Sequence, residues 1–240
     1  MTGYFLYYML GIILIPAIIL SIWAEAKVHS TYEKYYNVPN NRNLTGKDVA
    51  EMILRAAEIN DVIISGIDGK LTDHYDPKNK VLAISNKNLT STSVSAIGVV
   101  AHECGHAIQH QEKYIPIIIR NIFVKLNNIT SKLLIPLLIL GAILDAFLYV
   151  QNSFITIAII GISIFGLSFL LNLITLPIEK NASKRALKIL KESTILNEEE
   201  IVGAEKVLNA AAMTYLSAVL YSLLNFLRFI LVIFVNNKRD

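Results

Sequence analysis

The sequence predicts a mainly α integral membrane protein of about four transmembrane helices, with a polar region that carries a small β-hairpin. Three observations support this. Hydrophobic residues make up 54% of the 240 residues and charged residues 17%, well under the roughly 25% charged of soluble domains. Four apolar stretches approach the roughly 20 residues that a helix needs to cross a bilayer. Between the first and second lies a long polar segment that mixes helical and strand periodicity. The net charge of +3 is too small to suggest a nucleic-acid partner, and there is no basic stripe with interleaved aromatics of the kind single strands need. The single cysteine, Cys104, excludes an intramolecular disulfide.

Taken in order, Tyr4 to Ala24 is an uncharged apolar run, and residues 1–24 read as an N-terminal transmembrane anchor. Ala24-Glu25-Ala26 offers a signal-peptide cleavage site as the alternative. Against it, no Lys or Arg precedes the run, and the run is longer than a usual signal core. Residues 25–131 form the polar region. Asn37-Val38-Pro39-Asn40-Asn41 is a loop. Thr45, with Asp48 three residues on, caps a helix whose apolar stripe is Val49, Met52, Ile53, Ala56 and Ala57. Asp61 to Ser65 is a short strand bounded by Gly66 and Gly69. Lys70 to Tyr75 and Lys80 to Ser85 form a hairpin turned by Asp76-Pro77-Lys78-Asn79. A helix follows from near Thr92, with Ser91-Thr92-Ser93 as its cap candidates and Val94, Ile97, Ala101 and Ile108 suitably spaced for packing.

Tyr114 to Thr130 is apolar with Arg120 and Lys125 as anchors, and fits either a helix on the membrane surface or a buried core helix. Leu133 to Val150 and Phe154 to Leu176 are the second and third spans. Gln151-Asn152-Ser153 joins them, so residues 132–176 form a transmembrane helical hairpin. Residues 177–209 are polar and helical in pattern, and residues 210–240 hold the fourth span and a tail. Four spans put 25–131 and 177–209 on one side of the bilayer. Lys and Arg gather there, which places that side in the cytoplasm. Two charges fall within spans, Asp145 and Arg228. Either they pair, or Asp145 lies near the boundary and is hydrated.

The chemistry centres on His102-Glu103-Cys104-Gly105-His106. Residues four apart lie on one helix face, so the two imidazoles stand side by side at a spacing that can grip a zinc ion. Glu103 is turned aside from that pair, where it can act as base toward a metal-activated water. Cys104 lies about 200° around the helix from either histidine and faces the packing side. Gly105 would allow another element to approach the helix closely. A catalytic zinc needs a third protein ligand. His110 is one candidate, although three ligands in one row cannot easily surround an ion. Glu179 is the other, in Leu176-Pro177-Ile178-Glu179-Lys180-Asn181-Ala182-Ser183-Lys184-Arg185-Ala186, which emerges from the third span on the histidines' side.

Four segments in this order, Leu71 to Pro77, Ala101 to His110, Leu176 to Ala186 and Val207 to Tyr215, resemble the YugP-like family of bacterial membrane zinc metallopeptidases. They cover most of the chain from about residue 60 to 220. The family is distantly similar to membrane proteases of the HtpX and CAAX type. The resemblance implies a zincin-like metallopeptidase core of gluzincin type. One Zn²⁺ would be held by His102, His106 and Glu179, the last in a Glu-x-x-Ala pattern completed by Ala182. It also implies a zinc-dependent endopeptidase in which Glu103 is the general base. His74 is the favoured further catalytic group, an oxyanion donor; Tyr75, Tyr215 and Arg185 are the other candidates. Asp73 and Asp76 would shape the turn. Asn181 stands where the pattern leads one to expect an acid that orients a metal histidine, and Ser183 is the alternative orienting group. The strand Val81 to Ser85 would be the edge on which an extended substrate adds. The partners expected are a peptide or membrane-protein substrate and the lipid bilayer, with no nucleic acid. The alternative function is a non-catalytic zinc-binding membrane protein with a structural or regulatory role.

Overall fold

The computed structural model describes residues 9–148 and 153–237. The chain divides into two compact units, one of Trp23–Ile117 with Pro177–Thr214, the other of Met1–Ile22, Ile118–Leu176 and Tyr215–Asp240.

Helix α1 (Ile15–Tyr36) enters the first unit at Trp23 and leads through a loop into α2 (Gly46–Ala56). Thr45 and Asp48 make the expected capping box: the Thr45 side chain accepts from the Asp48 amide, and the Asp48 carboxylate accepts from the Thr45 amide. The face that α2 buries is Val49, Ala50, Ile53 and Leu54. It is rotated slightly from the expected stripe, so that Ala56 is exposed.

Three strands follow: β1 (Ile63–Ile67), β2 (His74–Asp76) and β3 (Val81–Ser85). The hairpin of β2 and β3 forms as expected, Tyr75 facing Leu82, and its turn is held by the Asp76 carboxylate accepting from the amides of Lys78 and Asn79. The sheet order is β1-β3-β2, with β1 parallel to β3. This corrects one expectation. β3 is the central strand, paired on both sides, and cannot accept a substrate as an edge. Its run Leu82-Ala83-Ile84 is buried without alternation, as a strand covered on both faces requires. The free edges belong to β1 and β2.

A short helix α3 (Asn86–Thr90) leads to α4 (Val94–Gln111), which Ser93 caps by accepting from the Ala96 amide. α4 is the axis of the core. Val94, Ile97, Val100, Ala101, Cys104 and Ala107 are buried among α2, the sheet, and residues Ala186, Leu190, Ala204 and Leu208 of the two long helices described next.

Three long helices complete the chain: α5 (Ile115–Leu148), α6 (Ser153–Glu192) and α7 (Glu198–Asn237). The expected surface helix and second span are one continuous helix, α5, because the sequence holds no glycine or proline between Pro116 and Pro136 to interrupt it. α6 likewise runs through Pro177 from the third span into the polar segment beyond. Within the second unit, α6 and α7 meet through rings: Phe165 stacks on Phe229 at 4.6 Å, and Phe169 lies parallel to Phe226 at 6.2 Å. Arg228 is buried, with its guanidinium close to Gly11.

Among the described residues, three helices are long and apolar enough to cross a membrane, within Leu10–Tyr36, Ile159–Glu192 and Glu198–Leu231. Tyr4 to Tyr8, the side chain of Asp145 and Gln151-Asn152 lie outside the described residues, as do most side chains of the stretch Leu133 to Val150.

Candidate metal centre

The site is built where α6 presses against α4. A Cβ on Gly105 would lie 2.7 Å from the Ala182 carbonyl oxygen, so only glycine permits this approach of two backbones. Ala182 is itself fully buried. One turn before this contact α6 carries Glu179 toward α4, and the residue directly after it, Ser183, also reaches α4.

The Glu179 Oε2 lies 3.2 Å from His102 Nε2 and 3.3 Å from His106 Nε2. The two rings stand 4.8 Å apart and nearly perpendicular. One ligand atom from each residue falls within 4.8 Å of the others. With metal–ligand bonds of about 2.0–2.2 Å, a tetrahedral zinc separates its ligands by roughly 3.3 Å, so the spacing fits that ion. The donor set, two imidazole nitrogens and a carboxylate oxygen, is also one that zinc takes. Glu179 is only 4% exposed, and a buried carboxylate requires positive charge beside it. A metal ion held by the same two histidines would supply that charge.

The far nitrogen of each imidazole is held in a different way. His102 Nδ1 meets the Ser183 hydroxyl at 3.1 Å. His106 Nδ1 lies 3.0 Å from the side-chain oxygen of Gln109. Such contacts orient the rings so that Nε2 faces the site. Asn181, expected as a partner of a metal histidine, instead accepts from Gln109 at 2.9 Å and from Arg185 at 2.8 Å, and so acts at one remove.

Glu103 is brought in from the other side by the sheet. Its carboxylate accepts the Tyr75 backbone N–H at 3.1 Å. Burial pushes the Glu103 carboxyl above the ordinary carboxylate range, despite the opposing effect of the two histidines. β2 is set at this height by Asp73, which accepts from the Ser85 amide at 2.9 Å and from the Asn88 side chain at 3.0 Å. Asp73 and Asp76 therefore both act as shaping residues.

The other candidates have contacts of their own. His74 is exposed on β2, and its ring Nδ1 lies 2.9 Å from the Thr72 carbonyl; it is not among the groups gathered with His102 and His106. The neighbouring Tyr75 makes the contact to Glu103, through its backbone, while its ring packs on His110 at 5.6 Å. His110 is not in the ligand cluster. Arg185 is engaged by Glu112 at 2.7 Å. Tyr215 lies on α7. Sequence reasoning missed Gln109 and the Tyr75 amide. Gln109 did carry a signal, a polar residue three positions after a ligand in an otherwise apolar helical turn. The amide of Tyr75 carried none, since any residue has one.

Comparison with known proteins agrees with this geometry. The family described as "Putative neutral zinc metallopeptidase" matches residues 10–234. The chain is 41% identical over 226 residues, 94% of its length and 96% of the relative's, to the "Putative membrane protease YugP" of Bacillus subtilis (strain 168). No solved structure matches. With nearly its whole length matched and its zinc-type donor set assembled, the chain belongs to this zinc metallopeptidase family.

Proposed function

We propose that the protein is a membrane-embedded, zinc-dependent endopeptidase. The observation that carries this reading is the convergence of three elements on one point: two Nε2 atoms from α4, one carboxylate oxygen from α6, and Glu103 beside them on the Tyr75 amide. His102, His106 and Glu179 would hold the ion, which when bound acidifies a water and polarises the scissile carbonyl. Glu103 would serve as the general base toward the attacking water and then as the acid toward the leaving amine. Its burial raises its basicity for this task. Ser183 and Gln109 keep the two imidazoles facing the site. A base held beside the ligands has no use in a purely structural site, which favours catalysis over a silent metal site.

The wider reading is a zincin-like core on four spans, the fourth supplied by Leu133 to Val150 on α5. In it, residues 25–131 and 177–209 form the metallopeptidase domain, and residues 1–24, 132–176 and 210–240 the membrane part. The excess of Lys and Arg around the polar segments puts the site on the cytoplasmic side. A fluorescent protein fused to the C-terminus should then stay dark in a bacterial host; bright fusions would put the site outside. The substrate would be a peptide or membrane protein presented close to the bilayer, because Glu179 follows the apolar run of the third span within the same helix.

The test uses full-length protein in detergent. Wild type should hold one zinc and cleave an unfolded protein such as casein or a membrane-protein fragment. Glu103→Gln should keep the zinc and lose cleavage by roughly 100-fold or more. Glu179→Ala should lose both. Zinc retained by Glu179→Ala would break the ligand set. Zinc bound with no hydrolysis of any substrate in a proteome-derived peptide library would leave only a metal-binding role.

A further inference from the structure

Gln109 is fully buried three residues after His106 on α4, and its side-chain amide is hydrogen-bonded at both ends. The Nε2 donates to the Ile178 carbonyl at 2.9 Å and to the Asn181 Oδ1 at 2.9 Å. The Oε1 faces His106 Nδ1 at 3.0 Å. These contacts fix which end of the amide is which. The Ile178 carbonyl is acceptor only. The Asn181 oxygen is identified in turn by Arg185, whose Nε can only donate and meets it at 2.8 Å. Turning the Gln109 amide over would set its oxygen against two other oxygens in a buried site, leaving it without a donor. Oε1 must therefore face His106, and an oxygen there demands a proton on Nδ1. A neutral imidazole with its proton on Nδ1 has its lone pair on Nε2, the atom that lies 3.3 Å from Glu179 Oε2.

His102 has no such constraint. Its Nδ1 partner is the Ser183 hydroxyl, which can donate or accept and leaves either tautomer satisfied. One histidine is preset by a chain running from Glu112 through Arg185, Asn181 and Gln109, while the other is not.

We propose that Gln109, locked by Asn181 and the Ile178 carbonyl, is a positioning residue that presets His106 in the Nδ1–H tautomer and so raises the affinity of the site for zinc. This rests on the metal-site reading above. The test is made on full-length protein in detergent with two readouts. One is zinc affinity by competition with a chelator. The other is the ¹⁵N shifts of the His106 imidazole in metal-free protein at alkaline pH, assigned with His106→Asn. Gln109→Met keeps the volume and removes all three hydrogen bonds. It should weaken zinc binding roughly 10- to 100-fold and spread His106 over both tautomers. Asn181→Asp still accepts from Gln109 and Arg185 and should retain both wild-type properties; Asn181→Leu should move toward Gln109→Met. The Asn181 pair keeps the test available if Gln109→Met does not fold.

Wild-type affinity together with an intact Nδ1–H tautomer in Gln109→Met would overturn the proposal. Asn181→Asp failing as badly as Asn181→Leu would also overturn it. A wild-type protein that shows the Nδ1–H tautomer, lost in Gln109→Met, yet binds no zinc would uphold the preset tautomer and sink the metal-site reading instead.

Discussion

The glycine contact at the metal centre differs in kind from those between α6 and α7 in the other unit. At the metal centre Gly105 lies against backbone, as Gly46 does beside α3, whereas Gly203 of the same unit lies against the Tyr35 ring. A Cβ on Gly105 would meet the Ala182 carbonyl, and one on Gly46 would overlap the Asn88 carbonyl. In the other unit, Gly161 and Gly166 lie against rings. A Cβ on Gly161 would stand 3.2 Å from the Phe229 ring, and one on Gly166 would stand 3.1 Å from that of Phe226. A backbone inside a packed helix or a capped turn cannot give way without moving its element, whereas an aromatic ring can swing by a few tenths of an ångström. The first unit therefore has little positional freedom where the ligands converge, as a site needing sub-ångström placement requires. The second has the slack of helices packed by side chains, which would suit the proposed membrane part.

The largest expected effect comes from breaking the first kind of contact. Gly105→Ala gains about 1 kcal/mol in helix propensity, but the added methyl must push α6 away from α4. Overpacking of this sort typically costs about 1–3 kcal/mol, so net stability should fall. Because Glu179 and Ser183 ride on the displaced helix, zinc affinity should fall by more than tenfold. Chelator competition and thermal unfolding of the detergent-solubilised protein measure the two. Unchanged zinc affinity would show that the Gly105–Ala182 contact does not set the ligand distance. Gly46→Ala sharpens the point. It should destabilise to a similar degree through Asn88, while the zinc affinity of the molecules that remain folded stays near that of wild type.

A smaller loss is expected at the α2 cap. Thr45→Ala removes the acceptor for the Asp48 amide and should cost about 1 kcal/mol, with zinc binding unchanged. Smaller still is Gly166→Ala in the ring-packed unit. There the helix-propensity gain of about 1 kcal/mol should offset the small shift of the Phe226 ring, leaving the unfolding temperature nearly as it was. A loss at Gly166→Ala as large as that at Gly105→Ala would erase the distinction between the two units.

Features with a short period were legible in the sequence. The capping box, the hairpin turn and the pairing of His102 with His106 on one helix face all depend on residues within four positions of each other. The order β1-β3-β2 was not legible, because the partner on the far side of β3 is chosen by the path of the chain and not by β3 itself. The unbroken apolar run at Leu82 to Ile84 was nevertheless a sign of burial on both faces. The continuity of α6 through Pro177 was also hidden. Proline removes one backbone hydrogen bond and usually marks a boundary, yet here the helix carries on to bring Glu179 to α4. Gly105 could be read only as permissive until Ala182 was found against it.

A similarly small effect lies at the outer end of the chain of contacts that reaches His106. The Arg185 guanidinium beside Glu112 holds its carboxyl below the ordinary carboxylate range. A carboxyl with a depressed folded-state pKa contributes stability above its unfolded pKa, near 4.3, and loses it as pH falls through the lower folded value. The Glu112 side chain is 54% exposed, so solvent and salt screen the pair, and its contribution should be about 0.5 kcal/mol at most. Glu112→Gln should thus unfold at a slightly lower temperature than wild type at neutral pH. The gap should close as pH falls below about 4, and should narrow with added salt. Arg185 keeps its bond to Asn181 in the variant, so zinc affinity should change far less than in Gln109→Met. A large loss of zinc in Glu112→Gln would mean that the salt bridge, and not the buried amides, holds His106 in place.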